Sequence, residues 1–258
     1  MKTFVSVLVV VLALAALATC QTPAQETALP SVDQVLDKFV AAAGGKDAIQ
    51  KVTSRVSKGT IDVLTFGASG TIEQNIKPGK IVTTSDFPGF GTVIQCYDGK
   101  AGWATDPQSG MRDMNPGEMA SAKRQSDLQG GLHMKEQYKK LAVTGKGKVG
   151  DRDAYIVEGE RPEGGVEKLY FDAETGLLSR MDIPMEQGGT ATMTLEDYKD
   201  VDGLKLPFAI HQDLPEISLL IKYQDVKQNV PVDDAKFAKP APQPAPEAPK
   251  PPAAEPPK

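Results

Sequence analysis

The chain has 258 residues, a formal net charge of −5, 40% hydrophobic residues and two cysteines. Acidic residues outnumber basic ones and no segment concentrates lysine or arginine, which argues against nucleic acid as a partner. Two histidines, with no HExxH and no paired His/Cys spacing, give no metal signal, and no cofactor is expected.

At the N-terminus, Lys2 precedes an apolar run over residues 4–18. The run is shorter than the ~20 residues of a spanning helix and small residues follow it, so residues 1–20 read as a secretory signal peptide. The protein is therefore expected to be exported. Loss of Lys2 with that segment takes the net charge from −5 to −6. Leu17-Ala18-Thr19-Cys20 resembles the lipobox of bacterial lipoproteins, in which the cysteine receives lipid, although Thr19 departs from the usual Gly, Ala or Ser. Cleavage after Ala18 or after Cys20 would instead give a soluble periplasmic protein, and the small-residue rule favours that outcome. A lipid on Cys20, anchoring the chain to the outer membrane, is the alternative and the one membrane contact expected.

Residues 29–238 read as one domain, large enough for a core. Ser31 suits a helix N-cap; Val32, Val35, Leu36, Phe39 and Val40 follow at helical spacing, and Gly44-Gly45 stops the helix. Residues 47–51 allow one more turn. A long first strand is expected over 52–66, with a bulge near Lys58-Gly59, where the apolar parity changes. Strands over 71–76 and 81–87 flank Pro78-Gly79, the centre of a type II turn. Residues 90–113 read as one hairpin; with Asp98-Gly99 as its turn, Cys96 would face Ala101 and Ile94 would face Trp103. Cys96 reads as a small buried hydrophobe.

Asn115-Pro116 opens a helix reaching about Gln129, and a second short helix is expected over 132–140. Strands resume over 141–149, 154–160 and 166–171. Residues 168–212 then form a meander whose turns are 172–176, Gly188-Gly189 and 200–203. A last long strand covers 217–226 and a short closing piece 230–237. Residues 239–258 are nearly half proline with no aromatic or β-branched residue, and read as an extended, disordered tail. The fold expected is mainly β (α+β): a curved antiparallel sheet, or incomplete barrel, of about ten or eleven strands, with helices over its concave face.

Motifs of catalysis are missing. Gly145, Gly147 and Gly150 match GxGxxG, but a strand rather than a helix follows, so no phosphate loop results. Asp200-x-Asp202-Gly203 starts like a Ca²⁺ loop, yet His211 stands where the closing Glu belongs, so a hairpin turn is the better reading. The residues describe an exported, β-rich, non-enzymatic domain.

Three runs carry a resemblance: KLYFDAETGLLSRM (168–181), DYKDVDGLKLPF (197–208) and QNVPVDDAKF (228–237), together with VLDKFVAAAGGKDAIQK (35–51) ahead of the first strand. They resemble the LolA/LolB-like lipoprotein-carrier superfamily, in particular the outer-membrane lipoprotein-sorting-like proteins. The resemblance implies an incomplete barrel whose apolar cavity holds a lipid acyl chain or lipoprotein. It offers no catalytic residue. Cavity candidates are Ile61, Val63, Ile72, Ile94, Trp103, Met119, Leu169, Phe171, Leu195 and Leu219, which would otherwise simply be core. The carriers hold their lid with a basic residue on an early strand; Arg55 lies in a comparable region, though its plain reading is an exposed strand residue. Some superfamily members bind partner proteins and regulate stress signalling, so an envelope protein partner is the alternative. For the anchor, the soluble form predicts no uptake of radiolabelled palmitate. Label on the wild type that Cys20→Ser abolishes would establish lipidation instead.

Overall fold

The structure, a computed structural model, describes residues 28–185 and 188–240. The signal segment with Cys20, and residues 241–258 of the proline-rich tail, lie outside the described residues.

Helix α1 (Val32–Ala42) starts at Ser31, whose Oγ accepts from the Gln34 N–H while Gln34 Oε1 accepts from the Ser31 N–H. This capping box satisfies two otherwise orphaned amides. Gly44 and Gly45, both at positive φ, end the helix, and α2 (Lys46–Gln50) follows. Strand β1 (Arg55–Val63) is shorter at both ends than the sequence suggests. Val52 is taken into the helix junction with Ile49 and Leu204, and Ser54 donates its hydroxyl to the Val230 carbonyl. At the other end Phe66 and Gly67 both donate to Val63 O, which closes a turn.

Strands β2 (Ala68–Lys77) and β3 (Lys80–Phe87) are joined by Pro78-Gly79, with Gly79 at φ 74°. The expected single hairpin over 90–113 is three strands: β4 (Gly91–Tyr97), β5 (Gly102–Asp106) and β6 (Gly110–Asp113). Asp98 Oδ1 accepts from the amides of Lys100 and Ala101, which centres the β4–β5 turn on Gly99-Lys100 rather than Asp98-Gly99. The register therefore moves by two, placing Cys96 opposite Trp103 and Ile94 opposite Thr105. An even shift keeps every side chain on its face. Asp106 repeats the device with Gln108 and Ser109, which turns the chain into β6.

Helix α3 (Pro116–Gln125) has its own capping box between Asn115 and Glu118. It ends before Gln129, because Asp127 Oδ1 captures the Gln129 amide. The helix expected over 132–140 is only a 3-10 turn, Met134–Gln137. Lys139 already donates to Glu160 O, so the chain has entered the sheet. Seven strands follow: β7 (Lys140–Val149), β8 (Arg152–Glu160), β9 (Val166–Asp172), β10 (Leu178–Pro184), β11 (Thr190–Val201), β12 (Leu204–Asp213) and β13 (Ser218–Gln228). The 200–203 turn is a hairpin turn as expected: Asp202 and Gly203 take φ 51° and 84°, and Asp200 Oδ1 accepts from Gly203 N–H. The closing piece is not a strand but a 3-10 turn, Asp234–Phe237.

All thirteen strands form one antiparallel sheet in the order β6-β5-β4-β3-β2-β1-β13-β12-β11-β10-β9-β8-β7. The count exceeds the expected ten or eleven because short strands such as β6 carry no apolar signal of their own. Among the described residues, β1 with β13 is the one sequence-distant strand pair. Its ladder slips at Lys58/Gly59, where the bulge was expected, but Lys58 faces Asp225 and Gly59 faces Tyr223. The extra residue is thus Gln224, on β13. A Cβ at Gly59 would strike the Lys222 carbonyl oxygen, so this crossing requires glycine.

The edges β6 and β7 do not pair, so the sheet is a curved, incomplete barrel. One face carries the helices. Helix α1 sets Val35 and Leu36 on Val157, Leu169, Phe171 and Leu178, and Phe39 meets Phe171 edge-on at 5.5 Å. Helix α3 sets Ala122 and Met119 on Ile76, Ile81 and Tyr97. Between them Ile61, Ile72 and Ile221 pack with Phe87, Ile210 and Tyr223, all from strands. The opposite face at β3–β5 is covered by Phe237 against Val82, Cys96 and Trp103. Leu169 is 1% exposed, so Leu169→Ala is expected to cost about 2–5 kcal/mol in urea unfolding. Leu64→Ala, at a side chain 47% exposed, should stay within about 0.5 kcal/mol of wild type.

Candidate functional site

The strand register sorts the sequence candidates onto two faces. Ile61, Ile72, Leu169, Phe171 and Leu195 belong to clusters of the helix-bearing face, and Val63 and Leu219, paired with each other, share the parity of Ile61 and Ile221. Met119 reaches the same face from α3. Ile94 and Trp103 do not join them. They lie on the outer face under the C-terminal turn, packed with Cys96 and Phe237. Cys96 is fully buried, its thiol donating to Phe237 O at 3.4 Å, and burial pushes its pKa up to about 11. That agrees with an inert thiol.

Two cavities open on the inner side. The larger, about 640 Å³, lies where the C-terminal end of α3 meets the β2–β3 and β4–β5 turns. Val52, Tyr97 and Leu128 supply its apolar wall, and Lys80 and Lys123 are among its polar lining. The smaller, about 170 Å³, lies beside α1 and is lined by Val35, Tyr155 and Phe171 among others. Phe171 is the one sequence candidate that lines either cavity.

Arg55 is not the exposed strand residue its plain reading suggested. It is half-buried, its Nε is enclosed without a hydrogen-bond partner, and its Nη2 donates to Gln228 Oε1 at a long 3.4 Å. No carboxylate lies within ion-pair distance of it among the described residues. Burial lowers its pKa to about 10, against a smaller opposing effect from Tyr223. The lid contact implied by the family resemblance is not made: its bond is to β13, not to a helix.

A second polar group ties the open side together. Glu167, 1% exposed, accepts from Tyr138 Oη at 2.5 Å and lies 3.3 Å from Arg161 Nε. Arg124 of α3 bonds Glu163 at 2.6 Å, and Arg161 bonds the same carboxylate at 2.8 Å. The helix is thereby fastened to the β8–β9 turn, far from β3–β5 on which its apolar face sits. Burial and the Glu167 charge raise the Tyr138 pKa well above its usual value. Burial opposes ionisation of Glu163, but the two arginines outweigh it and hold its carboxyl at about 2. Alternation held the clue to Glu167 and Arg55: Glu167 shares the parity of Leu169 and Phe171, and Arg55 that of Ile61 and Val63.

The histidines form no reactive pair. His133 Nδ1 faces Asp127 at 3.3 Å on the surface, and His211 sits in β12 opposite Thr194 and Leu220. Among the described residues no cluster of His, Cys, Asp and Glu could hold a metal.

This unclosed antiparallel barrel with helices on one face is a fold that other solved structures share, a LolA superfamily protein among them. A LolA superfamily protein from Nitrosomonas europaea matches at TM-score 0.55 and 13% identity over 82% of this chain and 99% of that one. A domain assigned to outer membrane lipoprotein sorting, from Vibrio parahaemolyticus, matches at 0.52 and 10% over 78% and 97%. A DUF1329 family protein from Desulfovibrio piger matches at 0.58 and 14% over 80% and 97%. No family model and no curated protein matches the sequence.

The Arg124–Glu163 contact yields a pH test. An unfolded glutamate titrates near 4.5 and the folded Glu163 near 2, so its contribution is complete above 4.5 and disappears as pH falls towards 2. Wild type should lose on the order of 1 kcal/mol relative to Glu163→Gln across that window, since the carboxylate is partly exposed and screened. Paired thermal melts from pH 5 to 2 measure the difference.

Proposed function

We propose that the protein is a non-catalytic component of the bacterial cell envelope that binds a lipid or lipoprotein acyl chain on the concave side of its sheet. The observation that carries this reading is the cavity of about 640 Å³ beneath the end of α3, with Val52, Tyr97 and Leu128 in its wall. That volume lies within the range of small-molecule sites. A water-soluble protein can carry lipid only by hiding the chain, and each buried CH₂ contributes about 0.8 kcal/mol. The apolar inner surface around Ile61, Ile72 and Ile221, formed by strands alone, extends the surface available to a chain.

The LolA-like fold and the N-terminal signal pattern support export to the periplasm, soluble or held at the outer membrane through Cys20. Residues 29–238 would be the binding domain and the proline-rich segment a tail. The absence of a convergent reactive set among the described residues supports a binding role over an enzymatic one. Native mass spectrometry of protein purified from membranes is expected to show bound lipid, and a fluorescent fatty acid should bind saturably. An empty protein that also fails to bind the fatty acid would eliminate the lipid reading and leave an envelope protein partner as the ligand.

A further inference from the structure

A buried cation without a counter-charge is costly, and chains normally pair it or leave it out. Arg55 breaks that pattern. Its neighbours in the ladder are Ile76 on β2 and Gln228 on β13, neither of them anionic. Gln228 is itself committed, donating its Nε2 to the Val201 carbonyl at 2.7 Å and accepting only the long bond from Arg55. Tyr223 is the other polar group in its electrostatic surroundings, and burial keeps that phenol neutral with its pKa raised to about 12. The arginines of the α3 closure differ: Arg161 and Arg124 share Glu163. Ile76, directly across from Arg55, packs with Tyr97, which lines the large cavity, and Val52 of the same cavity stands three residues before Arg55 in the chain. The half-buried guanidinium thus adjoins residues that line the proposed lipid site, on the same face of the sheet as Ile76 and Tyr97.

We propose that Arg55 is the anion anchor of that site, pairing with an oxyanion headgroup, a carboxylate or a phosphate, carried on the acyl chain. This rests on the lipid-binding reading and narrows it to anionic lipids. An arginine fork suits both groups, because its parallel N–H bonds match two oxygens of either. The orphaned Nε and the weakly engaged Nη2 supply that fork.

The test uses the full mature chain loaded with Nile red, an uncharged probe, and displacement by oleate, oleoyl lysophosphatidic acid and methyl oleate. Wild type should prefer one or both anionic lipids over the methyl ester by about 10- to 100-fold, the effect of a charge-assisted hydrogen-bond pair. The relative affinities of oleate and the lysophosphatidic acid separate carboxylate from phosphate. Arg55→Gln should bring the preference within about twofold while methyl oleate still binds, and Arg55→Lys should retain part of it. Without ligand, Arg55→Gln should melt at or above the wild-type temperature, because it removes an uncompensated charge. Equal displacement by all three lipids in wild type overturns the anchor but leaves lipid binding standing. A preference that survives in Arg55→Gln, or a lowered melting temperature of the ligand-free variant, likewise overturns it. If neither Nile red nor any of the lipids binds, the lipid reading itself falls.

Discussion

Everything in this molecule depends on a sheet that does not close. Strands β6 and β7 follow each other in sequence but occupy opposite edges of the sheet. The connection between them carries α3 across the open side. A fully paired barrel would have no edges to protect and no open side to cover. Here the closure is made by side chains: an apolar contact of Ala122 with Ile76, Ile81 and Tyr97 at one end, and Arg124 with Glu163 at the other. A closure of that kind can be opened without breaking the backbone ladder.

The inner face is accordingly divided. Helix α1 fills one part with Val35, Leu36 and Phe39, packed on the core around Leu169 and Phe171. Helix α3 covers another and leaves the large cavity at its C-terminal end. The stretch between is apolar and contributed by strands only. Helix-covered core and open apolar surface are therefore different sectors of one face. Arg55 stands at the boundary between them, cross-strand from Ile76 of the α3 cluster and adjoining the strand-only surface of β1 and β13. On the outer face, the sector around Cys96 and Trp103 is covered by Phe237 of the Asp234–Phe237 turn.

Much of this was legible beforehand. The caps at Ser31 and Asn115 and the turns at Pro78-Gly79 and Asp202-Gly203 rest on local chemistry that a few residues specify; the slip at Lys58/Gly59 falls where the sequence places it, but its extra residue is supplied by β13. The structure departs from the sequence pattern for two kinds of reason, one local and one distant. Locally, the Asp98 side chain accepts from the amides of Lys100 and Ala101 and moves the β4–β5 register by two. Residues 132–140 lost a helix because Glu160 offered a strand partner. Residues 230–237 were read as a strand, but Phe237 is worth more buried against Cys96 and Trp103 than paired at an edge.

By itself, the sequence determined the class of element at nearly every position, the antiparallel order of a hairpin-linked chain, and the inward parity of Ile61, Leu169 and Phe171. These follow from period, caps and turns, which act over a few residues. Only the tertiary structure decided that β1 meets β13, that β6 and β7 stay apart, that Ile94 and Trp103 face outward, and that Arg55 is enclosed without an anion. Each of those depends on which surfaces meet across the fold. Alternation tells that a side chain points to one face of a sheet, but what lies opposite it is set by how the whole sheet curves.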